Sequence, residues 1–338
     1  MHTLTDTQRS EYADVWVVAE QRGGRLKSVT HELLGAGRPL ADERGGRLWC
    51  VILGEGLSAL PAECFARGAD AVLLVDDPAL AHVTDETHAA ALARLIEKHK
   101  PEIVLCGATA QGRALIPRVA VKANAGLTAD CTGLSIEPET GHLLQTRPAF
   151  GGNIFATIRC GEYRPQMATV RPRVMAEPPV NGLRTGQVVR EELLPAEKHA
   201  RMRVLEEFID ESEAVKLADA SFIVTGGRGL GGKRGFDLLR QFAHAVGGAV
   251  GATRAAVDAG WIDYAHQVGQ TGQTVQPKVY MACGVSGQIQ HLVGMQSSDI
   301  IIAVNPDPDA PLMRYADYAI VGDLYEILPA MLRQLREV

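Results

Sequence analysis

The sequence predicts an α/β protein of two domains: an N-terminal nucleotide-binding-like α/β domain with an antiparallel β extension (residues 1–203) and a C-terminal doubly wound parallel-sheet domain (residues 204–338). Three observations predict it. Short apolar runs alternate with helically spaced segments up to about residue 126, and strands that alternate with helices form parallel sheets covered on both faces. That rhythm gives way to two-residue alternation and turn residues from 127 to 175, and it returns after about residue 220. A length of 338 residues suits about two domains of ordinary size.

The elements follow in order. DVWVVAE (14–20) reads as a strand and VTHELLGAGRPLADE (29–43) as a helix, although Pro39 opposes its continuation. RLWCVILG (47–54) is the next strand, followed by a helix near 58–67 and the strand AVLLV (71–75). TDETHAAALARLIEKHK (84–100) has the clearest helix signals: Thr84 to cap it, acidic residues in the first turn and Pro101 to stop it. EIVLCG (102–107) is a strand, and GRALIPRVAVKANAG (112–126) a helix ending near Gly126. The stretch from 127 to 175 reads as the antiparallel extension and AEPPVNGLRTGQ (176–187) as a surface connector. RMRVLEEFIDE (201–211) fits strand or helix equally, with the domain boundary beside it.

In the last third, SFIVTG (221–226), GGAVGAT (247–253), VYMACG (279–284), IIIAVN (300–305) and YAIVGD (318–323) are five strand candidates. Between the first two, Phe236, Leu239, Phe242 and Val246 share one helical face. The chain ends in a helix that Pro329 is expected to kink or restart.

Composition narrows the function. The chain is 46% hydrophobic and 22% charged with net charge −6, and it has no basic block, which argues against a nucleic-acid partner. No apolar run is long enough for a transmembrane segment, and the N-terminus lacks the features of a signal peptide. Six scattered cysteines have neither metal nor cluster spacing, so a reducing cytoplasm and no bound metal are expected. Cys50, Cys106 and Cys283 sit in apolar runs, where cysteine behaves as a small buried hydrophobe. No hydrolase elbow, paired metal-ligand spacing or complete P-loop is present.

Ligands of open parallel sheets bind beyond the carboxyl ends of the strands. In the second domain those ends carry GGRGLGGKRG (226–235), Thr253 and Arg254, Ser286 to His291, Asn305 and Asp323. The glycines can admit a phosphate to the backbone or simply serve a turn; Arg228 among them favours an anion. GVSGQIQHLVGM (284–295) reads as a strand-to-helix turn whose free N–H groups suit a pyrophosphate. His291, one turn further in, is more often a structural histidine than a functional one in such a place. These residues describe a lined cleft with an anion site, and any hard chemistry would come from a cofactor.

Taken together, TGGRGL, GGAVGATRAAVDAGWI, HQVGQTGQTV, SGQIQHLVGM, AVNPDPDAP and DYAIVGDL resemble the α subunit of electron transfer flavoproteins in order and spacing. ADVWVVAEQ, PRVA, GLTADCTGL, RPAFGGN and RPQMATVRP extend the resemblance over nearly the whole chain. It implies FAD in the second domain and electron transfer rather than stand-alone catalysis on a small substrate. Carried over residue by residue, it implies Arg228 near the adenosine or diphosphate and Arg254, preceded by Thr253, against the isoalloxazine. Val268, Gly269, Gln270 and Thr271 would form the flavin-side loop, with Thr271 near N5. Ser286, Gly287, Gln288, Ile289, Gln290 and His291 would wrap the phosphates and ribityl chain, His291 reaching the carbonyl edge. Asn305, Asp323 and Leu324 would hold the adenosine end. Thr253 stands where serine is common and keeps the hydroxyl.

The resemblance further implies a heterodimer with a β subunit and an acyl-CoA dehydrogenase or related CoA-linked flavoenzyme as electron partner. The β subunit carries AMP in simple carriers, or a second FAD reduced by NADH in bifurcating relatives. HQVGQTG, with His266, and GLTADCTGL look like the bifurcating, anaerobe-type subgroup. Two other readings compete. A non-redox nucleotide-binding regulatory module would not need the ring-side set of Arg254 and VGQTG, and a self-contained flavin reductase would need a substrate pocket with no sign in the sequence.

Overall fold

A computed structural model describes residues 4–149, 154–198, 200–202, 204–206, 217 and 220–335. The chain divides into two compact units, residues 1–207 and 208–338.

The first unit is built on a seven-stranded sheet whose neighbouring strands all run parallel. From one edge to the other the strands are Gln187–Arg190, Ala71–Asp76, Leu48–Gly54, Ala13–Val18, Pro101–Gly107, Gln166–Val170 and Gly126–Cys131. Alternate side chains serve two cores. Val15 and Val17 pack with Leu33, Leu34 and Leu40 of helix Ser28–Arg44, while Trp16 and Val18 pack with Leu92 and Leu95 of Asp85–His99 and Ile116 and Val119 of Ala110–Lys122. Burial on both faces explains why Leu48–Gly54 and Pro101–Gly107 are apolar without alternation.

Helix Ser28–Arg44 forms as expected and runs through Pro39, because Leu33, Leu34, Leu40 and Ala41 bury its inner face. Three expectations need correcting here. Thr84 does stand at the N-cap of Asp85–His99, but its buried hydroxyl makes no capping bond. Helix Ala110–Lys122 ends before Gly126, which instead opens a strand. The antiparallel extension is also smaller than expected. Gly133–Ile136, Leu143–Ala149 and Ile154–Arg159 form it, whereas Gly126–Cys131 and Gln166–Val170 join the main sheet in parallel. Two-residue alternation marks a strand but does not choose its partner. The connector leads into the edge strand Gln187–Arg190, which its exposed sequence did not announce. Most of 201–211 lies outside the described residues.

The second unit has a five-stranded parallel sheet: Ala249–Ala252, Phe222–Gly226, Val279–Cys283, Ile300–Asn305 and Tyr318–Val321. In chain order this is 2-1-3-4-5, a doubly wound arrangement. Helix Lys233–Ala245 buries Phe236, Leu239 and Phe242 against it. Leu324–Leu335 contains Pro329 within one helix rather than restarting there. The winding reverses between the first and third strands, so the switch point at which doubly wound sheets bind ligands lies beyond Gly226 and Cys283.

Candidate functional site

At that reversal the loops after the first and third strands meet backbone to backbone. Gly227 N–H donates to Cys283 O at 3.1 Å and Gly229 N–H to Gly284 O at 3.0 Å. A Cβ on Gly227 would lie 2.3 Å from Gly284 O, and one on Gly229 2.6 Å from Gly284 Cα. Gly284 has φ +63°, a left-handed conformation that favours glycine. These glycines are therefore required by a close crossing as well as by turns. Neighbouring strand ends are linked in the same manner: Thr253 N–H donates to Gly226 O at 3.0 Å and Gly284 N–H to Val304 O at 2.9 Å.

The two polar flanks of strand Val279–Cys283 also form one structure. Gln270 N–H donates to Gln290 O at 2.7 Å, Val275 N–H to Gly294 O at 2.8 Å, and Val268 N–H to Ala252 O at 2.9 Å. Behind them stands His291, only 7% exposed. Its Nδ1 lies 3.0 Å from Val268 O, which can only accept, so the proton is on Nδ1. Nε2 then accepts from the hydroxyl of fully buried Tyr280 at 3.0 Å. Burial lowers the imidazole pKa to about 4, so it is neutral near pH 7. His291, expected to reach a flavin carbonyl, thus has both ring nitrogens against chain partners and props the 268–271 loop from below.

The other candidates divide by what they expose. Arg228, Arg254, Gln270, Thr271, Ser286, Gln288, Ile289, Gln290 and Asp323 are open to solvent around the switch point. Among the described residues Arg254 makes an exposed i,i+4 pair, Nε to Asp258 Oδ2 at 3.3 Å. Thr253 is half-buried, and its Oγ1 is buried with no hydrogen-bond partner. Val268, Gly269 and Gly287 are buried, and the N–H groups of Val268 and Gly269 donate within the chain, to Ala252 O at 2.9 Å and Gln273 O at 3.1 Å. Asn305 is partly spent on the fold: its Nδ2 donates to Val285 O at 3.0 Å and its Oδ1 accepts from Asp307 N–H at 3.0 Å. Asp323 Oδ1 accepts Tyr325 N–H at 2.8 Å. Leu324 packs its side chain into the core, leaving its backbone for any ligand.

Two expectations change here. SGQIQH does not open a long helix; the helical segment is only Ile289–Leu292, so the anion argument rests on loop backbone and not on a helix terminus. His266, at the start of the flank, places Nδ1 2.6 Å from Val250 O and ties its loop to the second strand. Tyr280 and Gln267 were missed. A tyrosine in an otherwise apolar strand run was the available signal, since a buried hydroxyl needs a partner. Cys283, fully buried in the same strand, has its thiol pushed up to about 12 by burial and is inert.

Two family models match the chain: the electron transfer flavoprotein domain over residues 15–196 and the electron transfer flavoprotein FAD-binding domain over residues 216–296. An electron transfer flavoprotein subunit alpha from Thermoanaerobacterium thermosaccharolyticum is 48% identical over 97% of this chain and 99% of its own length. A FixB protein from Clostridium saccharobutylicum is 47% identical over 97% of this chain and 98% of its own. The acryloyl-CoA reductase electron transfer subunit beta of Anaerotignum propionicum is 41% identical over 97% of each chain.

Proposed function

The chain belongs to the electron transfer flavoprotein α-subunit family, and from that premise we propose that the switch point at the strand ends of the second unit holds FAD. The observation that carries the proposal is the side-chain-free crossing of Gly227, Gly229 and Gly284 at the winding reversal. It brings backbone from two loops together where a diphosphate can approach. The residues present fit such a group, because Thr253 keeps a buried hydroxyl that finds no hydrogen-bond partner among the described residues. FAD, when bound, supplies the storage and release of electrons.

The chain's own residues bind and tune it. Arg228 offers a guanidinium to the diphosphate, and the loop from Ser286 to Gln290 offers main chain and short polar groups to the phosphates and ribityl chain. Val268 to Thr271 form the ring-side edge, with the Thr271 hydroxyl positioned to hold a hydrogen bond near N5. Arg254 favours a ring carrying added negative charge. Asp323 and the main chain of Asn305 and Leu324 serve the adenosine end.

The partner is proposed to be a β subunit, and the electrons to serve an acyl-CoA dehydrogenase or related CoA-linked flavoenzyme in the cytoplasm. The name of the acryloyl-CoA reductase relative supports a CoA-linked partner. No helix among the described residues is long and apolar enough to cross a membrane. The finer assignment to the bifurcating subgroup rests on HQVGQTG and GLTADCTGL. Co-purified with its β subunit, the chain should be yellow and release FAD on denaturation. A colourless complex that cannot be reconstituted with FAD defeats the proposal. One flavin per heterodimer with no reduction by NADH removes bifurcation.

A further inference from the structure

Gln267 stands immediately before the ring-side loop and is only 3% exposed. Its backbone is held on both sides: its N–H donates to Tyr264 O at 2.9 Å, and its O accepts from Gln273 N–H at 2.7 Å. A Cβ on Gly272 would lie 2.3 Å from Gln267 O, so the loop closes tightly around this residue. From that fixed base the side-chain Nε2 donates to Thr271 Oγ1 at 3.1 Å. Thr271 is held at its other end as well, its carbonyl accepting from the Tyr264 hydroxyl.

A threonine hydroxyl has one proton and two lone pairs. With a lone pair engaged by an N–H from inside, its proton must be directed elsewhere. Thr271 is exposed, which leaves that proton free to serve a group outside the loop. We propose that Gln267 is a positioning residue: it holds Thr271 as a hydrogen-bond donor toward the flavin ring without touching the flavin itself. A donor fixed in this sense favours the flavin form with added negative charge, because its hydrogen bond strengthens as the acceptor gains charge. This inference rests on the FAD reading above.

The test is a double-mutant cycle on the FAD-loaded heterodimer. Gln267→Leu and, as a second variant of similar length to glutamine, Gln267→Met are each made beside Thr271 and beside Thr271→Val. FAD content is measured first, and then the midpoint potential and visible spectrum by spectroelectrochemical titration. Both Gln267 variants should keep their FAD. Each should lower the ratio of reduced to oxidised flavin at a set potential by about fivefold, the worth of one hydrogen bond. That shift should vanish when residue 271 is valine. An equal shift in both backgrounds, no shift at all, or loss of FAD from both variants overturns the positioning role. Absence of FAD from the unsubstituted heterodimer would instead overturn the reading of the site.

Discussion

Acidification probes the strut beneath the 268–271 loop. In the fold His291 titrates at about 4, while a histidine in an unfolded chain titrates near 6.5. Between those values the unfolded chain binds a proton that the folded one refuses. Stability therefore falls as pH drops through this window, by up to about 1.4 kcal/mol per pH unit. The loss from pH 7 to pH 5 works out at about 2 kcal/mol, with roughly 3 kcal/mol lost once both states are protonated. The structure gives the cause. The imidazole is only 7% exposed, and burial penalises its charged form. Urea unfolding of the ligand-free chain and of His291→Gln, at pH 7, 6 and 5, isolates the term, since other titrating groups cancel in the difference. The wild-type advantage over His291→Gln should shrink by about 2 kcal/mol between pH 7 and 5. A difference that stays constant within about 0.5 kcal/mol would refute the buried, neutral strut.

Gly284→Ala should weaken both fold and cofactor retention: the new Cβ would lie 2.8 Å from Gly229 Cα at φ +63°. A loss of about 2 kcal/mol is expected in denaturant unfolding, and an unaltered midpoint would refute the tight crossing. Arg254→Ala should leave stability within about 0.5 kcal/mol, because its ion pair is exposed, yet lower the midpoint potential of bound FAD. An unchanged potential in a redox titration would remove its ring-side role. In the first unit, burial raises Glu32 to about 7, above its unfolded value of 4.5, although Arg173 N–H donates to its carboxylate. The sign is opposite to that of His291: stability should be lost as pH rises from 4.5 through 7. Glu32→Gln should therefore gain on wild type by roughly 3 kcal/mol between pH 4 and 8 in parallel unfolding curves.

Much was determined by local pattern. Continuous apolar runs such as LWCVILG and EIVLCG, set between helices with one apolar face, announce strands buried on both sides, because burial acts on side chains in fixed periods. The polar strand ends of the second unit were equally legible, since they are short stretches whose residue types are visible one by one. Pairing and direction were not. Gly126–Cys131 and Gln166–Val170 look like members of an antiparallel run but join a parallel sheet, a choice made by partners distant in sequence. Nor could the sequence show that HQVGQTG and SGQIQH are bonded to each other across the strand that separates them. The tertiary structure decided that His291 faces Val268 and Tyr280, and that Gln267 reaches Thr271. A hydrogen bond depends on atoms lying about 3 Å apart, and only the folded backbone sets that distance.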